Sequence, residues 1–305
     1  AGTLEAAVMA ALNPRHRDPE IAAFPQRAAR EGAAEAPLVS VITPVYNGSR
    51  YLDELILSVE RQTHPRIEHI VIDDGSSDDG ATVAVLARYP HLRWWSRPNR
   101  GQYATLNEGL QAARGDWVCV ISADDVLASP SALADLIAQT QGSDQPDAVY
   151  GRTALMDSSG RPVQGQHGRP DESAPRWLNY HFLVIHHCSM IVARGFIEKH
   201  RLMFDTSLKF TGDWDWIIRI LKAGRTRHVD AIISKYRVHE QQTRQTTKGK
   251  DLVAEDRLVL ARHGSSAIVN VLIVNYFRFR KLVSILSAEG GSGGVRALKR
   301  FLRRR

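Results

Sequence analysis

The stretch "PLVSVITPVYNG" (Pro37–Gly48) decides how the rest of the chain is read. Leu38–Ile42 is short and rich in β-branched residues, as a buried strand must be, and Pro44 with the Asn47-Gly48 turn signal closes it. Helical spacing follows over Arg50–Gln62, where Leu52, Leu55, Ile56 and Val59 share a face. "IEHIVIDDGSSDDG" (Ile67–Gly80) is a second strand running into a polar turn. A helix over Ala81–Arg88, a strand over Leu92–Ser96, a helix over Gln102–Ala113 and a strand over Gly115–Ser122 complete the alternation. Such an order predicts a parallel sheet with helices on both faces.

In open sheets of this kind, ligands bind at the carboxyl ends of the strands. After the first strand come Thr43, Pro44, Tyr46 and Asn47; after the second, Asp73, Asp74 and Ser76. The third is followed by Arg97, Asn99, Arg100 and Gly101, and the fourth by Ser122, Asp124 and Asp125. These loops are expected on one rim. A ring can stack on a base, a carboxylate can accept from a base N–H or a ribose hydroxyl, and cations suit a diphosphate. "VISADDVLAS" (Val120–Ser129) puts two adjacent carboxylates there. They repel unless a cation or hydrogen-bond donors offset them. A hard, oxygen-preferring cation held by one or two carboxylates plus substrate phosphates supplies that offset; helix capping in water is the plainer alternative.

Composition narrows the class. The chain has 305 residues, 43% of them hydrophobic and 24% charged, an ordinary globular balance. Cys119 and Cys188 lie far apart, without zinc spacing, and read as buried thiols of a reducing compartment. Ala1–Ala36 has no apolar core, so no signal peptide is expected, and no uncharged run reaches the roughly 18–20 residues of a membrane span. The formal net charge of +7 is concentrated at one end: Arg278 to Arg305 carries nine cations against the single acid Glu289. The apolar run Ala267–Phe279 precedes it, so the tail reads as a basic amphipathic helix, suited either to an anionic membrane surface or to packing on protein.

Four quoted motifs in order, "VSVITPVYNGSRYLDELILSVERQTH", "IEHIVIDDGSSDDG", "NRGQYATLNEGLQAARGDWVCVISADD" and "FTGDWDWIIRI", resemble those of family 2 glycosyltransferases with the GT-A fold. The resemblance covers about Pro37 to His239. It implies an α/β GT-A catalytic domain over 37–245, divided into a nucleotide-sugar half (37–126) and an acceptor half (127–245). An N-terminal extension (1–36) and a helical basic C-terminal extension (246–305) flank it. It further implies a metal-dependent, inverting transferase, using Mn²⁺ or Mg²⁺, that moves a sugar from a nucleotide-sugar donor, UDP-sugars foremost, to a hydroxyl of a glycan or lipid-linked acceptor in polysaccharide or glycolipid assembly. The expected place is the cytoplasm or the inner face of the cell membrane.

Carried over residue by residue, the resemblance assigns Tyr46 to stacking on the base, with Thr43 and Pro44 beside it. Asp74 is to accept from the base, with Asp73 nearby, and Arg100 lies near the diphosphate. Asp124 and Asp125 match the metal motif, Asp125 as direct ligand and Asp124 as the acid that contacts the ribose or sugar. Asp213 in "GDWDW" (Gly212–Trp216) matches the catalytic base, where Gly212 replaces the usual preceding acid; Asp215, about 200° around the helix, is the other candidate. His239 is expected to complete metal coordination or touch the diphosphate, with Arg237 and Arg244 as further phosphate candidates. His187 and Trp214 are expected to face the acceptor.

Other readings fit less well. A dinucleotide-binding oxidoreductase wants GxGxxG after the first strand, and "TPVYNGSRY" lacks it. A sugar-phosphate nucleotidyltransferase normally has a Gly-rich basic loop there, also missing. Nucleic-acid binding is not expected, because the excess charge lies in the tail rather than among aromatics over the sheet.

Overall fold

The computed structural model describes residues 36–167, 185–240 and 249–264. The tail at Ala267–Arg305, Arg244 and the N-terminal extension before Ala36 lie outside the described residues. The chain divides into two compact units, Ala1–Leu252 and Val253–Arg305.

Among the described residues, the first unit is built on a nine-stranded sheet. β1 (Val39–Val45), β2 (Ile67–Asp73), β3 (Arg93–Ser96) and β4 (Trp117–Val120) alternate with α1 (Leu52–Glu60), α2 (Ala81–Leu86) and α3 (Gln102–Ala112). Next come β5 (Val126–Leu127), α4 (Ala132–Ala138), β6 (Ala148–Met156) and β7 (Pro162–His167). A 3₁₀ turn (His187–Ser189) leads into β8 (Met190–Ala193), followed by α5 (Arg194–His200), α6 (Gly212–Ala223) and β9 (Thr226–Arg237). Helix α7 (Gly249–Arg262) is the last described element. Strand order is β3-β2-β1-β4-β8-β6-β9-β5, with β7 on β6. The pairs among β1 to β4 are parallel, as expected. Beyond β4 the sheet is mixed: β8 is antiparallel to both β4 and β6, β9 is parallel to β6, and β5 is antiparallel to β9.

β1 is buried on both faces, with Val39, Val41 and Ile42 fully inside, which is why its sequence is a near-continuous β-branched run. The strand continues through Pro44 rather than stopping before it. Pairing with β4 ends at Ile42–Val120, so beyond that point one side of β1 is open and a residue without an N–H is tolerated. Leu52, Leu55, Ile56 and Val59 of α1 pack into one core cluster with Val41, Val71, Cys119 and Leu133. The buried Ser40 is matched: its hydroxyl donates to Glu68 at 2.5 Å and accepts from the Gly115 N–H at 2.8 Å. Among the described residues no helix is long and apolar enough to cross a membrane.

His69, in the middle of β2, meets Thr43 Oγ1 at 3.1 Å, and burial pushes its pKa down from 6.5 to about 3. Between those values the unfolded chain binds a proton that the folded chain refuses. Stability therefore rises with pH through this window and is lost as pH falls, at about 1.4 kcal/mol per pH unit for one proton. His69→Gln is expected to flatten the dependence by that slope in urea titrations run from pH 6.5 towards 3.5. An unchanged slope would remove His69 as its source.

Candidate active site

The rim begins at the end of β1. Tyr46 is 51% exposed, with its hydroxyl 3.3 Å from Ser77 Oγ, so a ring face is open for stacking. Asn47, in a left-handed conformation at φ 51°, fastens the neighbouring turn by accepting from the Ser77 N–H at 2.7 Å. Pro44 is half-buried beside it. Thr43 does not belong to the rim: it is fully buried and turned to His69 inside the sheet, which corrects its expected place beside a donor.

The pair at the end of β2 builds structure first. Asp73 is 1% exposed and accepts from the Ser76 N–H and hydroxyl and from the Ser96 hydroxyl, so its expected donor contact is also corrected. Asp74 accepts from the Arg97 guanidinium and from the N–H groups of Arg100 (2.8 Å) and Gly101 (3.0 Å). Of its roughly four acceptor positions, three are used. Gly75 permits this closeness: at φ 72° a Cβ would stand 2.7 Å from the Asn99 nitrogen. The Arg100 side chain is exposed. The inward-facing, partly buried cation of the loop is Arg97, which also bonds Glu108 at 2.9 Å and Thr105 at 2.8 Å. The charge pattern alone did not separate the two arginines.

The two carboxylates after β4 have opposite fates. Asp125 is fully buried: Oδ1 accepts from the Arg237 N–H at 2.9 Å, Oδ2 has no hydrogen-bond partner, and the buried Cys188 thiol is close to the carboxyl. Burial, then the nearby Asp124 charge, push its pKa well above the usual carboxylate range. Asp125, the expected metal ligand, reaches no solvent. Asp124 is the one whose side chain remains 28% exposed, and its Oδ2 meets His239 Nε2 at 2.9 Å. Arg237 holds this loop, donating from Nε to the Asp124 carbonyl at 2.8 Å and from a terminal nitrogen to Glu54 at 2.5 Å.

Helix α6 gives its two acids different surroundings. Asp215 is 4% exposed and paired with Arg219, one turn on, at 2.8 Å. Asp213 stands at the open end, its side chain 26% exposed, with Oδ2 3.3 Å from His187 Nδ1. His187 Nε2 in turn lies 3.2 Å from Ser122 Oγ, so the helix is linked to the loop that carries Asp124. His187 sits in a turn, not in a strand, and is buried; it faces Asp213 rather than open solvent. Trp214 is 5% exposed and so offers no open face for an acceptor sugar, and Trp216 is packed on Phe204 with its N–H on the Leu202 carbonyl.

The rim carries one half-exposed carboxylate–imidazole pair, one half-exposed acid near it through His187, and an exposed ring. Among the described residues no cluster of three or more His, Cys, Asp or Glu could cage a metal alone. Two protein ligands with an open remainder is the arrangement in which Mg²⁺ or Mn²⁺ shares its shell with substrate phosphates, so Asp124 and His239 fit such an ion.

Residues 40–201 match the family model described as "Glycosyl transferase family 2". An uncharacterized glycosyltransferase of Rickettsia felis is 31% identical over 214 residues, which are 68% of this chain and 35% of that protein. The chain thus spans about a third of the relative's length. Among solved structures, Staphylococcus aureus TarS 1-349 in complex with UDP-GlcNAc superposes with TM-score 0.57 at 20% identity, covering 73% of this chain and 66% of that one. The mannosyltransferase PcManGT of Pyrobaculum calidifontis, in complex with GDP-Man and Mn²⁺, gives 0.54 at 18% identity over 89% and 81%. The chain belongs to glycosyl transferase family 2, and its fold is GT-A.

The burial of Asp125 makes a stability prediction. Asp125→Ala strands the Arg237 N–H and is expected to cost about 1–3 kcal/mol. Asp125→Asn keeps an acceptor there and is expected to lose less. Denaturation midpoints for both variants decide; an alanine variant as stable as wild type would mean that the buried carboxyl holds nothing.

Proposed function

We propose that the chain is a metal-dependent, inverting glycosyltransferase that moves a sugar from a nucleotide-sugar donor to an acceptor hydroxyl, with Asp213 as the base. The observation that supports it most is the short path from Asp213 through His187 and Ser122 to the loop of Asp124, whose carboxylate meets His239.

Tyr46 offers its exposed face to the base of the donor, and Asp74 has one remaining acceptor position for a base N–H or a ribose hydroxyl. Pro44 lines that side, and the exposed Arg100 cation suits the diphosphate. Asp124 and His239 would hold Mn²⁺ or Mg²⁺, which, when bound, offsets the charge that grows on the departing nucleoside diphosphate. Asp213 accepts the proton of the acceptor hydroxyl. The hydroxyl oxygen forms its bond to the anomeric carbon on the face opposite the diphosphate. The old carbon–oxygen bond breaks, and its electron pair leaves with the diphosphate, so the configuration inverts. A UDP-sugar is the proposed donor, and a glycan or lipid-linked hydroxyl the proposed acceptor, in polysaccharide or glycolipid assembly. The basic tail from Arg278 to Arg305 would bring the chain to an anionic membrane surface, each cation there contributing about 1 kcal/mol.

Turnover of a panel containing UDP-GlcNAc, other UDP-sugars and GDP-Man, with Mn²⁺ and with chelator, tests the reading. Asp213→Asn is expected to bind donor as wild type does and to turn over about 10²–10⁴ more slowly. Asp124→Ala is expected to lose the response to Mn²⁺. Undiminished turnover in both variants would refute the assignment.

The tail has its own test. The full chain is expected to sediment with anionic but not neutral liposomes, and a chain ending at Ser265 with neither. Equal partitioning of the two chains would leave the tail without a membrane role.

A further inference from the structure

Asp213 is held from both sides. The hydroxyl of Tyr103, from the first turn of α3, donates to Oδ1 at 3.4 Å, and the Trp214 N–H donates to the same oxygen at 2.9 Å. His187 Nδ1 faces Oδ2 at 3.3 Å. A carboxylate only accepts, so a proton on Nδ1 would point at Asp213 and leave Nε2, 3.2 Å from Ser122 Oγ, to accept from that hydroxyl. Neither side chain is free to drift: the Tyr103 residue is 5% exposed and the His187 side chain 8%. The Tyr103 ring stacks on Phe204 at 5.8 Å and 11°. It also lies across the start of α6, where a Cβ on Gly212 would come within 2.7 Å of it. The missing side chain at 212 is what lets the phenol reach Asp213.

We propose that Tyr103 and His187 are positioning residues that clamp the Asp213 carboxylate in one orientation. The inference rests on Asp213 being the base. Contacts of 3.3–3.4 Å are longer than strong hydrogen bonds, and such contacts tighten as a reacting complex forms. Through Ser122, two residues ahead of Asp124, the same clamp ties the base to the loop of the proposed metal pair. Donor site and base then keep one spacing without any residue of the clamp touching substrate.

The side-chain nitrogens of His187 give a readout that needs no substrate. In ¹⁵N-labelled full-length chain, with the His187 signal identified by its loss in His187→Asn, the Nδ1–H tautomer is expected. Asp213→Asn is expected to shift that signal. An Nε2–H tautomer in the wild type, or a signal indifferent to Asp213→Asn, overturns the clamp. The second readout is UDP or GDP release from UDP-GlcNAc or GDP-Man with Mn²⁺. Tyr103→Phe keeps the ring and its stacking, so melting temperature and donor KM are expected to hold while kcat falls about tenfold. His187→Ala is expected to fall further, and His187→Asn, which places an amide N–H near the Nδ1 position, to recover part of the loss. Wild-type kcat in Tyr103→Phe and His187→Ala also overturns the clamp. Full turnover in Asp213→Asn alone, with the tautomer as expected, would instead refute the base and leave the contact geometry standing.

Discussion

Arg237 is a cation with almost no access to water: the residue is 1% exposed at the end of β9. Removing a guanidinium from solvent is costly unless every donor finds a partner. Here the Glu54 carboxylate and the Asp124 carbonyl accept from it, the Asp157 carbonyl lies 3.4 Å from one terminal nitrogen, and the Tyr51 ring covers it at 4.5 Å. Its backbone N–H holds Asp125. One residue therefore joins α1, the loop after β4 and the hairpin after β6. Asp124 is left as the member of the acid pair that turns outward, and His239, two residues beyond Arg237, reaches it. Tyr51 serves both neighbours, since the His239 ring lies 5.1 Å from it.

The parallel half of the sheet was legible because its information is local. β-branched runs, helical spacing and Gly or Asn turns each fall within a dozen residues, and β1 to β4 with α1 to α3 follow from them. The pairing of the other half was not, because β6, β8 and β9 pair over long sequence separations and β5 has two residues only. At the site, residue type and place after a strand predicted the rim well but not which way a side chain turns. Thr43, Asp73 and Trp214 have suitable chemistry and are buried. Asp125 and Asp124 are chemically identical neighbours, and what separates them is the N–H of Arg237, more than a hundred residues away. Asp213 and Asp215 were separable in principle, since Arg219 stands four residues after Asp215 and pairs with it. Arg97 is harder: nothing in "SRPNRG" says that the first arginine folds inward onto Asp74 and the second outward.

The directions of the strands explain how such distant residues meet. β8 runs against β4, so the segment entering β8 lies where β4 leaves the sheet, and His187 comes beside Ser122. β6 runs against β8, and β9 runs with β6, so two reversals restore the direction of β1 to β4. The carboxyl end of β9 thus falls on the same rim as the carboxyl end of β4, which is the condition for His239 to meet Asp124. β5 reverses again and begins at that rim, immediately after Asp125. With one antiparallel step instead of two between β4 and β9, His239 would leave the sheet on the opposite edge from both aspartates. β8, like β5, presents its entry rather than its exit to the site, and the entry of β8 is where a histidine can stand between a strand-end loop and the first turn of α6.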